Sequence, residues 1–182
     1  MTTSATTLTY ADYLLLPEDG KRYEILEGDL YMTPAPLTRH QTIAMRLSYL
    51  LVDYLEKNPI GAVLAAPCDV LLSQTDIVQP DLLVVLHSGR ACMTEKNVQG
   101  PPDIMIEILS PSTAARDREL KRKRYEHFGV REYWLVDPEA NTLTILNLTT
   151  QEGTLYSLAT NPSSPCSILL SDFTLDLTWL FK

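Results

Sequence analysis

The amino-acid sequence predicts an α/β (α+β) fold, a mixed sandwich built around a central sheet and flanked by helices. Three observations predict it. One long amphipathic pattern reads as a helix, a group of short apolar stretches after it reads as strands, and a second helical stretch is followed by further strands. At 182 residues and 45% hydrophobic composition, the chain suits one compact domain over residues 1–182 with a sizeable core.

The elements follow in order. Thr9 is placed to cap a short helix reaching about Leu15, and the stretch from Glu18 to Pro34 alternates around Glu27-Gly28-Asp29 as two strands joined by a tight turn. From about Leu37 to Lys57, Ile43, Ala44, Leu47, Leu50, Leu51, Tyr54 and Leu55 recur at three- and four-residue spacing until Asn58-Pro59 stops the pattern. GAVLAAP, CDVLLS and PDLLVVL then read as strands, and after a Gly- and Pro-containing loop from about His87 to Pro102 so does DIMIEILS. Their continuous apolarity predicts cover on both faces. Ser112 or Thr113 can cap a helix running to about Phe128, ended by Gly129, and EYWLVDP reads as another buried strand. TLTILNLT, LYSL and CSILL are read as further strands, with SDFTLDLTWLFK closing the domain.

The N-terminal MTTSATTLTY lacks the basic start and apolar block of a signal peptide, and no apolar run approaches the ~20 residues that cross a bilayer. A cytoplasmic protein without membrane contact is expected. Cys68, Cys92 and Cys166 form an odd, widely spaced set that predicts reduced thiols rather than a disulfide framework or a structural zinc site. His40, His87 and His127 are equally scattered, so any metal should be a hard ion with oxygen ligands, Mg²⁺ or Mn²⁺. The net charge of −8 argues against non-specific coating of nucleic acid. Residues 116–124, however, concentrate six of the fifteen Lys and Arg against only Asp117 and Glu119.

Two acidic residues lie in or beside apolar strands, Asp81 after Pro80 and Glu107 within DIMIEILS. A carboxylate there is unfavourable unless it is paired, hydrogen-bonded or bound to a cation. Alternation puts Met105, Glu107 and Leu109 on one strand face, and antiparallel pairing with PDLLVVL would bring Asp81 beside Glu107. On the next helix Asp117, Lys121 and Tyr125 are four apart on one stripe, with Arg124 beside them. Two carboxylates sharing a divalent metal, with a lysine to orient water or offset charge, have the chemistry of phosphodiester hydrolysis. Taken singly, each residue has a structural reading: Asp81 as a turn cap, Glu107 paired with Lys121 or Arg124, Lys121 exposed.

RYEILEGDLYMTP, RHQTIA, QPDLLVV, GPPDIMIEILSPSTAARD, KRKRYEHFGVREYWLVDP and DFTLDL together resemble the PD-(D/E)XK nuclease superfamily. Within it they resemble a bacterial group called the putative restriction endonuclease family, once known only as a domain of unknown function. The resemblance covers nearly the whole chain. It implies a restriction-endonuclease-like core and a metal-dependent DNA endonuclease. In that pattern Asp81 and Glu107 match the two acids, the Ile108 carbonyl is the third oxygen ligand, and Lys121 is a relocated lysine, since Leu109 stands where the motif has one. Glu24 matches an acidic position supporting the metal or its water, and His40 a histidine at the start of the long helix, for which a cap or packing role is the bland alternative. Asp117 would position Lys121, with Tyr125 on the same stripe. Arg116, Arg118, Arg122, Lys123 and Arg124 would meet the phosphate backbone of DNA, and a homodimer would present two sites to two strands.

Two other functions compete with cleavage of DNA. One is a nuclease-fold module without turnover that binds nucleic acid or serves as a scaffold; the other is a hydrolase of small phosphoesters. Nothing in the sequence names a target.

Overall fold

The computed structural model describes residues 7–159 and 167–182; Cys166, and with it the start of the CSILL strand, lies outside them. Asp12 accepts hydrogen bonds from the Thr9 N–H (2.8 Å) and hydroxyl (2.7 Å), which caps α1 (Tyr10–Tyr13). β1 (Arg22–Leu26) and β2 (Asp29–Thr33) form the expected hairpin, whose central residues Glu27 and Gly28 both have positive φ, 54° and 84°. That is the turn whose twist matches its strands. The predicted long helix is α2 (Thr38–Lys57), which buries His40, Ile43, Leu47, Leu51 and Leu55.

Next come β3 (Gly61–Ala65), β4 (Val70–Ser73), β5 (Asp76–Val78), β6 (Leu82–Leu86), β7 (Cys92–Met93), β8 (Val98–Gln99) and β9 (Ile104–Ile108). The second helical stretch is continuous but not uniform: α3 (Ala114–Arg116), a π turn (Asp117–Lys121) and α4 (Arg122–Phe128) run end to end. Gly129 stops it in the left-handed region (φ 85°), its N–H donating to the Tyr125 and Glu126 carbonyls. β10 (Glu132–Asp137), β11 (Thr142–Asn147), β12 (Glu152–Ser157) and α5 (Leu177–Phe181) complete the order.

The strands form two mixed sheets rather than one central sheet. The larger layer runs β12-β11-β10-β9-β6-β3, with β9 and β10 parallel and its other pairs antiparallel. The second runs β2-β1-β5-β4-β8-β7, with β4 and β8 parallel. Alternation along β9 divides the core: Ile104, Ile106 and Ile108 pack with α2 and α5, while Met105 and Leu109 pack with Tyr125 of α4 and with Leu26, Val70 and Val78 of the second sheet. Both faces of the central strands are therefore covered, as their continuous apolarity requires. Among the described residues no helix is long and apolar enough to cross a membrane. Cys68 and Cys92 are free thiols.

The stretch expected as a strand at CSILL is a bend over its described residues. Glu132, buried in β10, accepts from the Ile168 N–H (2.6 Å), the Leu169 N–H (3.1 Å), the Ser167 hydroxyl (2.9 Å) and Trp134 Nε1 (2.8 Å). One carboxylate thus takes two adjacent backbone donors that a ladder would have used. Glu132→Ala would take this acceptor from the buried Ser167 hydroxyl and Trp134 indole N–H and from the part-buried Ile168 and Leu169 amides, and a loss of about 3 kcal/mol is expected. Urea unfolding followed by Trp134 fluorescence checks this, and an unchanged midpoint would show that the bend is held by packing alone.

Candidate active site

β6 and β9 pair antiparallel with Leu82 opposite Ile106 and Leu83 opposite Met105, and one further step of that register sets Asp81 opposite Glu107. The expected juxtaposition is therefore present. Asp81 Oδ2 accepts from the Ile108 N–H (2.9 Å) and lies 3.0 Å from His40 Nε2, while Arg22 Nη1 donates to Oδ1 at 3.1 Å. Burial alone would raise the Asp81 pKa, but His40, the Ile108 amide and Arg22 together hold it below the usual carboxylate value.

Glu107, 3% exposed, takes the Lys121 ammonium and the Tyr125 hydroxyl on the same oxygen, Oε1, each at 2.9 Å. Among the described residues no donor reaches its Oε2. Burial pushes Glu107 up to about 8; Lys121 opposes that, and the charges of Asp117, Asp81 and Glu24 add to it. Lys121 also reaches Glu24 Oε1 at 2.8 Å and lies 3.7 Å from Asp117 Oδ1. Desolvation would discharge a buried lysine, yet Glu107, Glu24 and Asp117 raise its pKa, so it stays an ammonium. Tyr125, whose pKa burial raises well above the ordinary phenol value, remains an O–H donor to Glu107. It packs edge-to-face on Tyr133 at 5.0 Å, and Tyr133 donates to the Asp117 carbonyl at 3.0 Å.

The π turn explains how one helix supplies so much of this cluster. Its i→i+5 winding stacks residues five apart, so Arg116 comes to the same side as Lys121. Both meet Glu24, Arg116 at 3.4 Å and Lys121 at 2.8 Å. The second sheet contributes from the opposite side, with Arg22 and Glu24 two apart on one face of β1. Arg22, Glu24, His40, Asp81, Glu107 and Lys121 line a pocket of about 230 Å³ together with segments 33–37 and 110–113.

Arg22 and Gln79 were not among the residues singled out by sequence. Arg22 carries the signal of spacing, two before Glu24 in an alternating strand; Gln79, whose N–H donates to Glu24 at 2.9 Å, carries only its place before Pro80-Asp81. Ile108 enters the cluster through its N–H rather than by any observed use of its carbonyl. Arg124 departs from the expected phosphate-facing set. It holds buried Asp76 in a bidentate pair, 2.8 Å on each arm, bonds Glu27 at 3.0 Å, and stacks over Phe128. Among the described residues Asp76 has no other cation, so the guanidinium is committed to it. Arg118 pairs with Asp137 at 2.7 Å, whereas among the described residues Arg122 and Lys123 have no acidic partner.

The donor set fits a hard cation. Among the described residues no group of three or more His, Cys, Asp or Glu is arranged to hold a metal ion. Magnesium, however, commonly takes one or two carboxylates and completes its shell with water and substrate phosphate. Buried oxygens of Glu24 (Oε2) and Asp117 (Oδ1) lack hydrogen-bond donors among the described residues, and Glu107 is pushed toward its neutral form by burial first and by its acidic neighbours in addition. This pocket carries more carboxylate than its cations neutralise.

The two sheets, their flanking helices and the carboxylate-lysine cluster between them define a restriction-endonuclease-like protein. The chain belongs to the Uma2 family, whose model, described as "Putative restriction endonuclease", matches residues 10–178. Among solved structures, one described as a "putative nuclease belonging to DUF820" from Anabaena variabilis ATCC 29413 superposes with a TM-score of 0.79. It is 22% identical, over 96% of this chain and 97% of that one, which establishes the shared fold. No curated protein matches the chain.

Proposed function

We propose that this chain, acting as a single restriction-endonuclease-like domain, is a metal-dependent DNA endonuclease. The observation that carries the reading is the β6–β9 register, whose next step sets Asp81 opposite Glu107, with Lys121 brought to Glu107 from the helix in place of the motif's usual lysine. Asp81, Glu107 and the Ile108 carbonyl would hold Mg²⁺ or Mn²⁺. The chemistry such an ion supplies there is polarisation of the scissile phosphate and a lowered pKa for a water.

The chain's own groups divide the remaining work. Arg22 and His40 fix the Asp81 carboxylate in one orientation, and Tyr125 does the same for Glu107. Lys121, kept charged by three acids, offsets negative charge as it develops on the phosphate. Glu24 and Asp117 hold the ammonium in place. Arg116 stands at the pocket wall as the first phosphate contact, and Arg122 and Lys123 supply unpaired charge farther along α4.

The test is incubation of supercoiled plasmid with the parent protein, Asp81→Ala and Glu107→Ala in Mg²⁺, Mn²⁺ or EDTA. Nicking by the parent alone, only with metal, and reduced at least about 100-fold in either variant, is the expected result. Equal behaviour of all three proteins would remove the endonuclease reading. DNA binding without cleavage, surviving Asp81→Ala, would favour a nuclease-fold module without turnover.

A further inference from the structure

We infer that Arg22 is a displaceable counter-ion: it holds the Asp81 oxygen that a divalent metal would take, and metal entry releases it onto the substrate phosphate. This rests on the nuclease reading and deepens it by adding a residue that touches substrate.

The occupancy of Asp81 supplies the first argument. Its Oδ2 accepts from the Ile108 N–H at 2.9 Å and lies 3.0 Å from His40 Nε2, which uses both lone pairs of that oxygen. A metal must therefore come to Oδ1. There Arg22 Nη1 already donates at 3.1 Å, and a guanidinium and a divalent ion on one oxygen repel each other.

The second argument is that this ion pair is the one that can open. Arg22 offers Asp81 a single arm, at 3.1 Å, longer than the about 2.7–2.9 Å of a strong charge-assisted bond, and its side chain is 22% exposed. Arg124, by contrast, grips Asp76 with two arms at 2.8 Å each. Lys121, the cation on Glu107, is 3% exposed and also serves Glu24 and Asp117, so its departure would leave acids without it. Among the described residues Asp81 is the only acid that Arg22 meets. A metal that replaces the guanidinium on Asp81 thus strands nothing.

Room supplies the third. Arg22 lines the site pocket of about 230 Å³ and also a second hollow of about 480 Å³ that meets the first at His40 and Asp81. The guanidinium has open space on either side and stays in the wall of the site whichever way it turns. Before metal enters, Arg22 orients the carboxylate; afterwards the nearest anion left to it is the phosphate in the pocket, which its planar fork suits.

NMR and calorimetry test the inference. In the parent protein the Arg22 Nε–H resonance, assigned by its loss from Arg22→Lys, should shift when Mg²⁺ is added. In titrations with Mn²⁺, Arg22→Gln, which removes the charge, should bind at least about tenfold tighter than the parent, and Arg22→Lys, which keeps it, within about threefold of the parent. The gain should vanish when Asp81→Asn is added to Arg22→Gln. A resonance indifferent to saturating Mg²⁺, or no Mn²⁺ binding by any of these proteins, would overturn the displacement. Equal or weaker binding by Arg22→Gln would do the same, being the result for a residue that only orients Asp81. At saturating Mn²⁺, nicking of supercoiled plasmid by Arg22→Gln should fall about 100-fold despite the tighter metal, and nicking at the parent's rate would overturn the phosphate contact. If the parent never cuts, the nuclease reading and the phosphate contact fall together, while the resonance and the isotherms still decide the displacement.

Discussion

Lys121→Met is expected to remove cleavage and to cost the fold about 3–5 kcal/mol, the usual result of deleting one partner from a buried ionic cluster. The side chain is 3% exposed, and its ammonium lies 2.8 Å from Glu24 and 2.9 Å from Glu107. Methionine preserves length and fills the space, so the loss reports charge rather than a cavity. Glu107 and Asp117 would then lose their cation, and Glu24 would keep only Arg116. The deficit should shrink in acid, because Glu107 and Asp117, whose pKa values burial already raises, become neutral there. Urea titrations at about pH 5 and pH 8 measure both effects; identical midpoints for parent and variant at the higher pH would refute the account.

Glu107→Gln should separate stability from activity. The Glu107 pKa rises from 4.5 to about 8 on folding, so between those values the folded protein keeps a proton that the unfolded chain has released. Stability is then lost as pH rises through that window, the reverse of a paired carboxylate such as Asp81. The amide variant lacks this titration, so its stability should vary less between about pH 5 and 8 and equal or exceed the parent's at the upper end. Its cleavage rate should fall by about two to three orders of magnitude, since a ligand and a charge are both gone. Saturating Mg²⁺ should flatten the parent's profile in the same way, because a cation favours the carboxylate. A variant more sensitive to alkali than the parent would contradict the raised pKa.

Much of this arrangement was legible in the sequence because it depends on local periodicity. The stripe from Ile43 to Leu55 defined α2 to within one residue at its start, and alternation in DIMIEILS placed Glu107 on the face it occupies. What escaped is non-local. The division into two sheets depends on pairings such as β4 with β8, two residue pairs long and separated in the chain by β5, β6 and β7, which leave no pattern in either segment. The apolar run at Ile168–Leu170 carries strand propensity, but Glu132, 36 residues away, takes the Ile168 amide out of any ladder. The α5 helix did have a local signal, an Asp176 carboxylate accepting from the Thr178 N–H at 2.8 Å, hidden in a short stretch that reads equally well as strand. Within the site, Asp81 and Glu107 were visible as charges in or beside apolar strands, Lys121 as a stripe position between Asp117 and Tyr125, and Glu24 only through the resemblance. Arg22 was not, because an arginine at the start of an exposed-looking hairpin is unremarkable until its partner is known to be Asp81.

The π turn has a consequence for how this sequence tolerates change. A substitution at Arg118, Glu119 or Leu120 alters a side chain; the loss of a single residue there alters a count. A regular helix turns about 100° per residue, so five residues of the widened turn and four of a regular one bring the chain round by nearly the same angle. With one residue gone, Arg116 would stand four before Lys121, still on the same side, and Glu24 would keep both cations. Across relatives, a one-residue gap should therefore be tolerated between Arg116 and Lys121, whereas gaps between Lys121 and Gly129, which would turn Tyr125 away from Glu107, should be rare.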